Sequence, residues 1–429
     1  MTEPSSSLAP TTSPAPPLLS PGARIAVLAA SFLGLVFDGV ELGLMPIASI
    51  PVSKSLLGSD FTPTLGGLWF ARFTASLMLG AAIGGIALGS LGDRIGRTRA
   101  MGVSILVYSL FAAMGGWVRT QEQMLLLRFL VGLGVGGMWP NGIALVSECW
   151  PSASRPLVSG MMMAGLNVGI LLLARLTSFW PITPESWRWI FHLSGVPAAL
   201  GLIVLVALPE SPTWLAARGL SRKPVAPLRE LFQPDLIRIT LVGIVISVIP
   251  MMGAWAASKW MIPWADTVAG SGRAGYKAAT QGWWALGATL GSFAGAQLAS
   301  RLGRRLSYFL ISLGSSILTI AMFQLTAPLR PSFHPVVFAQ GFVATLFFGW
   351  LALYLPELFP TRVRATGSGL AYNSGRFGTA VGVLMAGLLF QAMDANYPRV
   401  GTLCSLIYAA GVVAIWWAPD TSTARLENE

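Results

Sequence analysis

Twelve apolar runs follow one another along the chain, each about 20 residues long, the length that crosses the hydrocarbon core of a bilayer. They lie near 24–50, 66–90, 100–118, 122–147, 156–179, 187–208, 237–265, 275–300, 306–326, 334–355, 363–391 and 400–418. A soluble fold has no place to bury so many: roughly 25% of its residues are charged, against 10% here, with 54% hydrophobic. In lipid each backbone donor and acceptor must be satisfied inside its own segment, so runs of this length become helices. The sequence predicts an all-α integral membrane protein.

A net charge of +11 invites a nucleic-acid reading, but its placement argues otherwise. With the N-terminus inside, sixteen of the 28 Lys and Arg residues fall at one set of helix ends, six at the other, and six within or at the edges of spans. That asymmetry is the positive-inside rule. It predicts a multi-pass protein of the cell inner (plasma) membrane with both termini cytoplasmic and no nucleic-acid partner. Residues 1–23 are rich in Ser, Pro and Thr and carry no basic residue, as expected of a disordered cytoplasmic tail rather than a cleavable signal. Cys149 and Cys404 are too few for a disulfide framework or a zinc site.

The chain also matches itself. ECWPSASRPLVSGMMMAGLNVG (148–169) aligns with ELFPTRVRATGSGLAYNSGRFG (357–378), placing Glu148 on Glu357, Pro151 on Pro360, Arg155 on Arg364, and Gly169 on Gly378. A nearly equal offset puts Gly96 of GDRIGR on Gly303 of SRLGRR. Duplication of a six-helix unit accounts for both, in the parallel-repeat plan that transporters use. The expected organisation is a tail (1–23), a six-helix bundle (24–208), a charged linker (209–236), a second six-helix bundle (237–418) and a short tail (419–429), both tails cytoplasmic.

The basic motifs sit where rocking halves would meet. Gly92, Asp93, Arg94, Gly96 and Arg97 join the second and third spans: the glycines permit a tight turn, and Asp93 can cap a helix or pair with a neighbouring arginine. With Glu148, Arg155, Glu357, Arg362 and Arg364 they are candidate gating residues. A solvated basic loop that serves topology alone is the plainer alternative. Other patterns carry no chemistry. GLGVGG (132–137) spells a dinucleotide fingerprint but lies inside an apolar span, where small residues serve helix packing. His192 and His334 accompany no nucleophile, and no acidic or Cys/His cluster has metal-ligand spacing. No enzyme, metal or cofactor is expected, only a proton gradient as energy source.

Charges at bilayer depth cost at least about 2.5–3.5 kcal/mol on insertion scales, so each is a functional candidate. Asp38 lies roughly 21 Å into the first span, and Glu41 follows one helical turn later on the same face. Carboxyls so placed suit proton coupling; permanent pairing with arginine is the structural alternative. Arg376, with Asn373 one turn before it, is too deep in the eleventh span to snorkel cheaply and fits a cavity. Arg128, Arg175 and Lys259 fit either snorkelling or a cavity, and Trp255, Trp260 and Trp264 around Lys259 either a binding site or an interfacial belt. Cations beside aromatic rings suit a planar carboxylate, so Arg128, Arg376, Asn373, Lys259 and Trp255 are the candidate substrate residues and Asp38 and Glu41 the candidate proton carriers.

These residues resemble the major facilitator superfamily over essentially the whole chain. GSLGDRIGRTR looks like its motif between helices two and three, LPESPTWLAARG resembles the sugar-porter signature after helix six, and PELFPTRVRATGSG the signature between helices ten and eleven. FDGVELG (37–43) is similar to the first-helix D-G-x-D signature of the aromatic acid:proton symporter family, with Glu41 for the second Asp. RFLVGLGVGGMWPNGIALVSE (128–148) is similar to that family's fourth helix. The resemblance implies twelve transmembrane helices in two pseudo-symmetric bundles and symport of a small organic anion with protons by alternating access; a sugar site would favour neutral amides over these buried cations. It also implies that Asp38 and Glu41 serve coupling and that Arg128 handles substrate or proton. A monomer is expected. A proton-coupled drug efflux pump, or a sugar, polyol or sugar-acid carrier, fits parts of the same pattern.

Overall fold

The computed structural model describes residues 19–150, 155–217, 228–360 and 363–421. The first expected tail up to residue 18, the linker segment 218–227, Arg362 and the last eight residues lie outside the described residues, as does the side chain of Arg155. All regular structure among the described residues is helical. In chain order the long helices are α1 Pro21–Leu57, α2 Pro63–Ile95, α3 Arg97–Met114, α4 Gln121–Cys149, α5 Arg155–Phe179 and α6 Arg188–Ala207. The second set is α7 Ile237–Ala269, α8 Tyr276–Leu302, α9 Arg304–Gln324, α10 Phe333–Leu358, α11 Arg364–Ala392 and α12 Tyr397–Ala414.

Eleven of these helices are both long and apolar enough to cross a bilayer; α8 has the length, 27 residues, without the apolarity. The shortfall has a packing reason. Gly287, Gly291 and Gly295 press α8 against the backbone of α10 at Phe338, Phe342 and Leu346, so the buried side is made of small residues. The opposite side shows Trp283, Leu286, Leu290 and Phe293, a helical stripe of exposed apolar side chains facing where lipid would lie. The equivalent pair in the first half is α2 with α4, where Gly80 and Gly84 meet the backbone at Phe129 and Leu133. Close approach through small residues is how helices associate without a hydrophobic driving force, and the duplicated sequence repeats it helix for helix.

The same correspondence extends to the contact between halves. α2 packs on α11, and α5 packs on α8, so each half contributes equivalent helices to the interface. Two interruptions shape the interior. α6 breaks at Ser194–Val196 before Pro197 restarts it. α7 passes Pro250 into a π-helical turn, Gly253–Ala257, and a 3-10 turn, Ser258–Trp260, before resuming at Met261. Proline removes a helical donor and crowds the preceding turn, and π turns of this kind cluster at functional sites.

Candidate functional site: the central cavity

A cavity of about 90 Å³ lies between the halves, lined from α1, α2, α4 and α5 on one side and α7, α8, α10 and α11 on the other. Asp38, Lys259, Arg376 and Trp255 all face it, so four residues singled out in the sequence converge there. Asp38 is 1% exposed and its Oδ1 has no hydrogen-bond partner. Arg376 donates from Nη1 to the carbonyl of Ala81 on α2, 2.9 Å away, and its guanidinium lies 5.6 Å from the Tyr372 ring. Gly85 makes this crossing possible, because a Cβ there would collide with Asn373 and crowd Arg376.

Lys259 does not snorkel. The irregular turns of α7 carry it into the protein, 1% exposed, where Nζ stands 3.2 Å from the centroid of Trp284 and 5.8 Å from that of Trp255. Nζ has no hydrogen-bond partner, so the indole faces are its main electrostatic contact. Trp284 is itself held in place: Nε1 donates 2.8 Å to Gln340 Oε1, and Gln340 Nε2 donates 2.5 Å to Ser258 Oγ. Trp284, Gln340 and Tyr372 were not expected from the sequence. A Gln inside the apolar run 334–355 is the signal that could have found this network.

Trp260 and Trp264 are neither cavity residues nor an interfacial belt. Trp260 closes the end of the cavity away from the basic motifs, packing edge-on to Phe70 of α2 at 5.1 Å and stacking on Phe390 at 4.9 Å. At the opposite end a second cavity continues toward the basic motifs, sharing Trp139, Met163, Phe348, Tyr372 and Arg376 with the first. Asn373 lines this outer cavity rather than the central one, and its Nδ2 donates to the Gly369 carbonyl at 2.9 Å.

Glu41 and Arg128 part from the cavity set. Arg128 Nη1 donates to Glu41 Oε2 at 3.2 Å, and the two side chains are 0% and 2% exposed. Neither lines the central cavity; Glu41 instead borders an apolar pocket between α1, α5 and α6. In this structure Arg128 stands in an internal ion pair, the alternative weighed for the carboxyls. Of the two acids, only Asp38 lines the central cavity.

The gating motifs fold into two matching clamps. Gly96, at φ 114°, and Gly303, at φ 83°, turn α2 into α3 and α8 into α9 in a backbone region open mainly to glycine. In the first half Arg97 bridges Asp93 at 2.5 Å and Glu148 at 3.4 Å, Glu148 accepts a hydrogen bond from Ser211, and Glu210 accepts from Thr98 N at 3.0 Å. In the second, Arg304 holds Glu357 through two bonds of 2.7 and 2.9 Å, and Thr421 donates to Glu357 at 2.6 Å. Arg364 Nε reaches the Phe359 carbonyl at 3.4 Å. These bonds run within a half. In this structure each motif braces its own half.

The Major Facilitator Superfamily model matches residues 26–383. A probable 4-methylmuconolactone transporter of Cupriavidus pinatubonensis is 32% identical, over 81% of each chain. The cis,cis-muconate transport protein of Acinetobacter baylyi is 29% identical over 89% of this chain and 94% of its own. The benzoate transport protein of the same organism is 25% identical over 92% and 89%. A crystal structure of a D-xylose-proton symporter superposes with a TM-score of 0.69, covering 94% of this chain and 99% of that one at 17% identity, which shows the shared fold. The relatives are transporters rather than enzymes, and the chain belongs to the Major Facilitator Superfamily.

Proposed function

We propose that this transporter carries a small organic anion, an aromatic or related unsaturated carboxylate, into the cell together with a proton. The observation that carries the reading is the meeting of one unpaired carboxylate, Asp38, with two cations, Lys259 and Arg376, in a cavity walled by Trp139, Trp255 and Trp284. A sugar would leave those cations without partners, at the cost buried charge always exacts. A planar carboxylate satisfies a cation and offers a π face to the indoles. The kinship with muconate and benzoate transporters supports the same class of solute.

In this reading the basic end of the bundle faces the cytoplasm, following the positive-inside rule, and the cavity continuing to that end makes the structure an inward-facing state. Asp38 takes a proton from outside. Its neutralisation removes the charge that repels the anion, the anion settles on the cations, and the loaded halves rock about the α2–α11 and α5–α8 contacts. Asp38 is the coupling carboxyl, and Glu41 with Arg128 holds α1 to α4.

Uptake of radiolabelled benzoate, muconate, nicotinate, lactate and a neutral sugar into proteoliposomes tests this. Accumulation of a carboxylate only under an inward proton gradient is the expected result. Flat traces for every acid alongside flux of the sugar, or of a cationic dye, would overturn it.

A further inference from the structure

Resting on that reading, we infer that the preferred substrate carries two carboxylates, one held by Lys259 and the other by Arg376. The argument begins with what the cavity lacks. Among the described residues neither cation makes an ion pair, whereas Arg128, Lys277 and Arg304 elsewhere in the fold each have a carboxylate partner. Lys259 is fully enclosed with no hydrogen bond at Nζ, and Arg376 spends one nitrogen on a backbone carbonyl. Both point into the same cavity, and Asp38 is its one carboxylate.

With Asp38 protonated, as the coupled step requires, and Lys259 and Arg376 holding their protons, the lining holds two positive charges and no negative one. A monoanion leaves the loaded cavity with a surplus positive charge in a medium that penalises it. A dianion brings the sum to zero. The placement of the cations fits two ends of one molecule rather than a shared clamp. Arg376 lies roughly 18 Å along α11 and Lys259 roughly 33 Å along α7, both counted from the basic end at about 1.5 Å per residue. The two side chains therefore enter at different heights, with the indoles of Trp255 and Trp284 beside the deeper one.

The test compares trans,trans-muconate with sorbate, the same six-carbon diene bearing a methyl in place of one carboxylate. Binding to purified protein is read from quenching of the cavity tryptophans, and uptake from proteoliposomes with an inward proton gradient. We expect the diacid to bind at least ten-fold more tightly than the monoacid in the native protein, and Lys259→Gln to abolish that preference. Equal or tighter binding of sorbate to the native protein would overturn the inference whatever the variant's fate. So would a preference for muconate that survives in a folded Lys259→Gln protein. Gradient-driven accumulation of sorbate without muconate would defeat the diacid and leave symport standing; indifference of both acids to the gradient would defeat symport as well.

Discussion

Replacing Arg128 by Met should destabilise the protein severely, and replacing Glu41 by Gln in the same chain should rescue much of the loss. The two charges stand 3.2 Å apart and almost wholly enclosed. At an effective dielectric of about 20 that separation is worth about 5 kcal/mol of attraction, and removing one partner of a buried pair typically costs about 3–5 kcal/mol because the other charge is stranded. Here Glu41 would be left against an apolar pocket walled by α5 and α6 side chains. Arg128→Met/Glu41→Gln has no stranded charge and should lie well above the single Arg128 variant. The assay is thermal unfolding in detergent at a fixed scan rate, followed by tryptophan fluorescence, with proton-driven uptake measured in parallel. A double variant that loses as much as the two single variants summed would refute the pair as a unit. One that folds like the native protein but carries nothing would show that the pair does more than join α1 to α4.

Three further outcomes follow from the geometry. Asp38→Asn should abolish accumulation driven by a proton gradient while sparing exchange of labelled for unlabelled substrate; full gradient-driven accumulation in the variant would remove Asp38 from the coupling step. Trp284→Leu should weaken binding by up to about 2 kcal/mol, since it removes the ring face that Lys259 rests on, and an unchanged binding constant by fluorescence titration would count against that contact. Gly96→Ala should cost about 1–3 kcal/mol of stability from its left-handed backbone, with an added clash against the Glu210 carboxyl, and an unshifted melting transition would contradict the strain.

The sequence was most legible where lipid imposes the rule. Apolar length located the spans, and only α8, read as an apolar run over 275–300, proved less apolar than a spanning helix, because its buried side is made of small residues. Asp38, Lys259 and Arg376 were legible because charge in a span is costly, and Trp255 because it neighbours Lys259 in the sequence. The pairing of Glu41 with Arg128 was hidden, since a helix apolar on every side gives no 3.6-residue signal of its rotation. The inner tethers of the clamps were closer to hand than they looked. Pro209-Glu210-Ser211 aligns with Pro419-Asp420-Thr421, so extending the repeat to the ends of α6 and α12 finds both hydroxyls that bind Glu148 and Glu357.

The two bundles share a plan, yet Asp38 belongs to the first half and both cavity cations to the second. In the proposed cycle a proton entering alone would cancel the one carboxylate charge of the cavity lining and leave two cations facing a neutral wall. Closing around that arrangement is the most expensive of the carrier's options. The empty carrier would keep its attraction, and in the fully loaded one the anion would neutralise the cations. On the proposed cycle, dividing the charges between the jaws would guard against slippage, because the half-loaded carrier would be the one least able to shut.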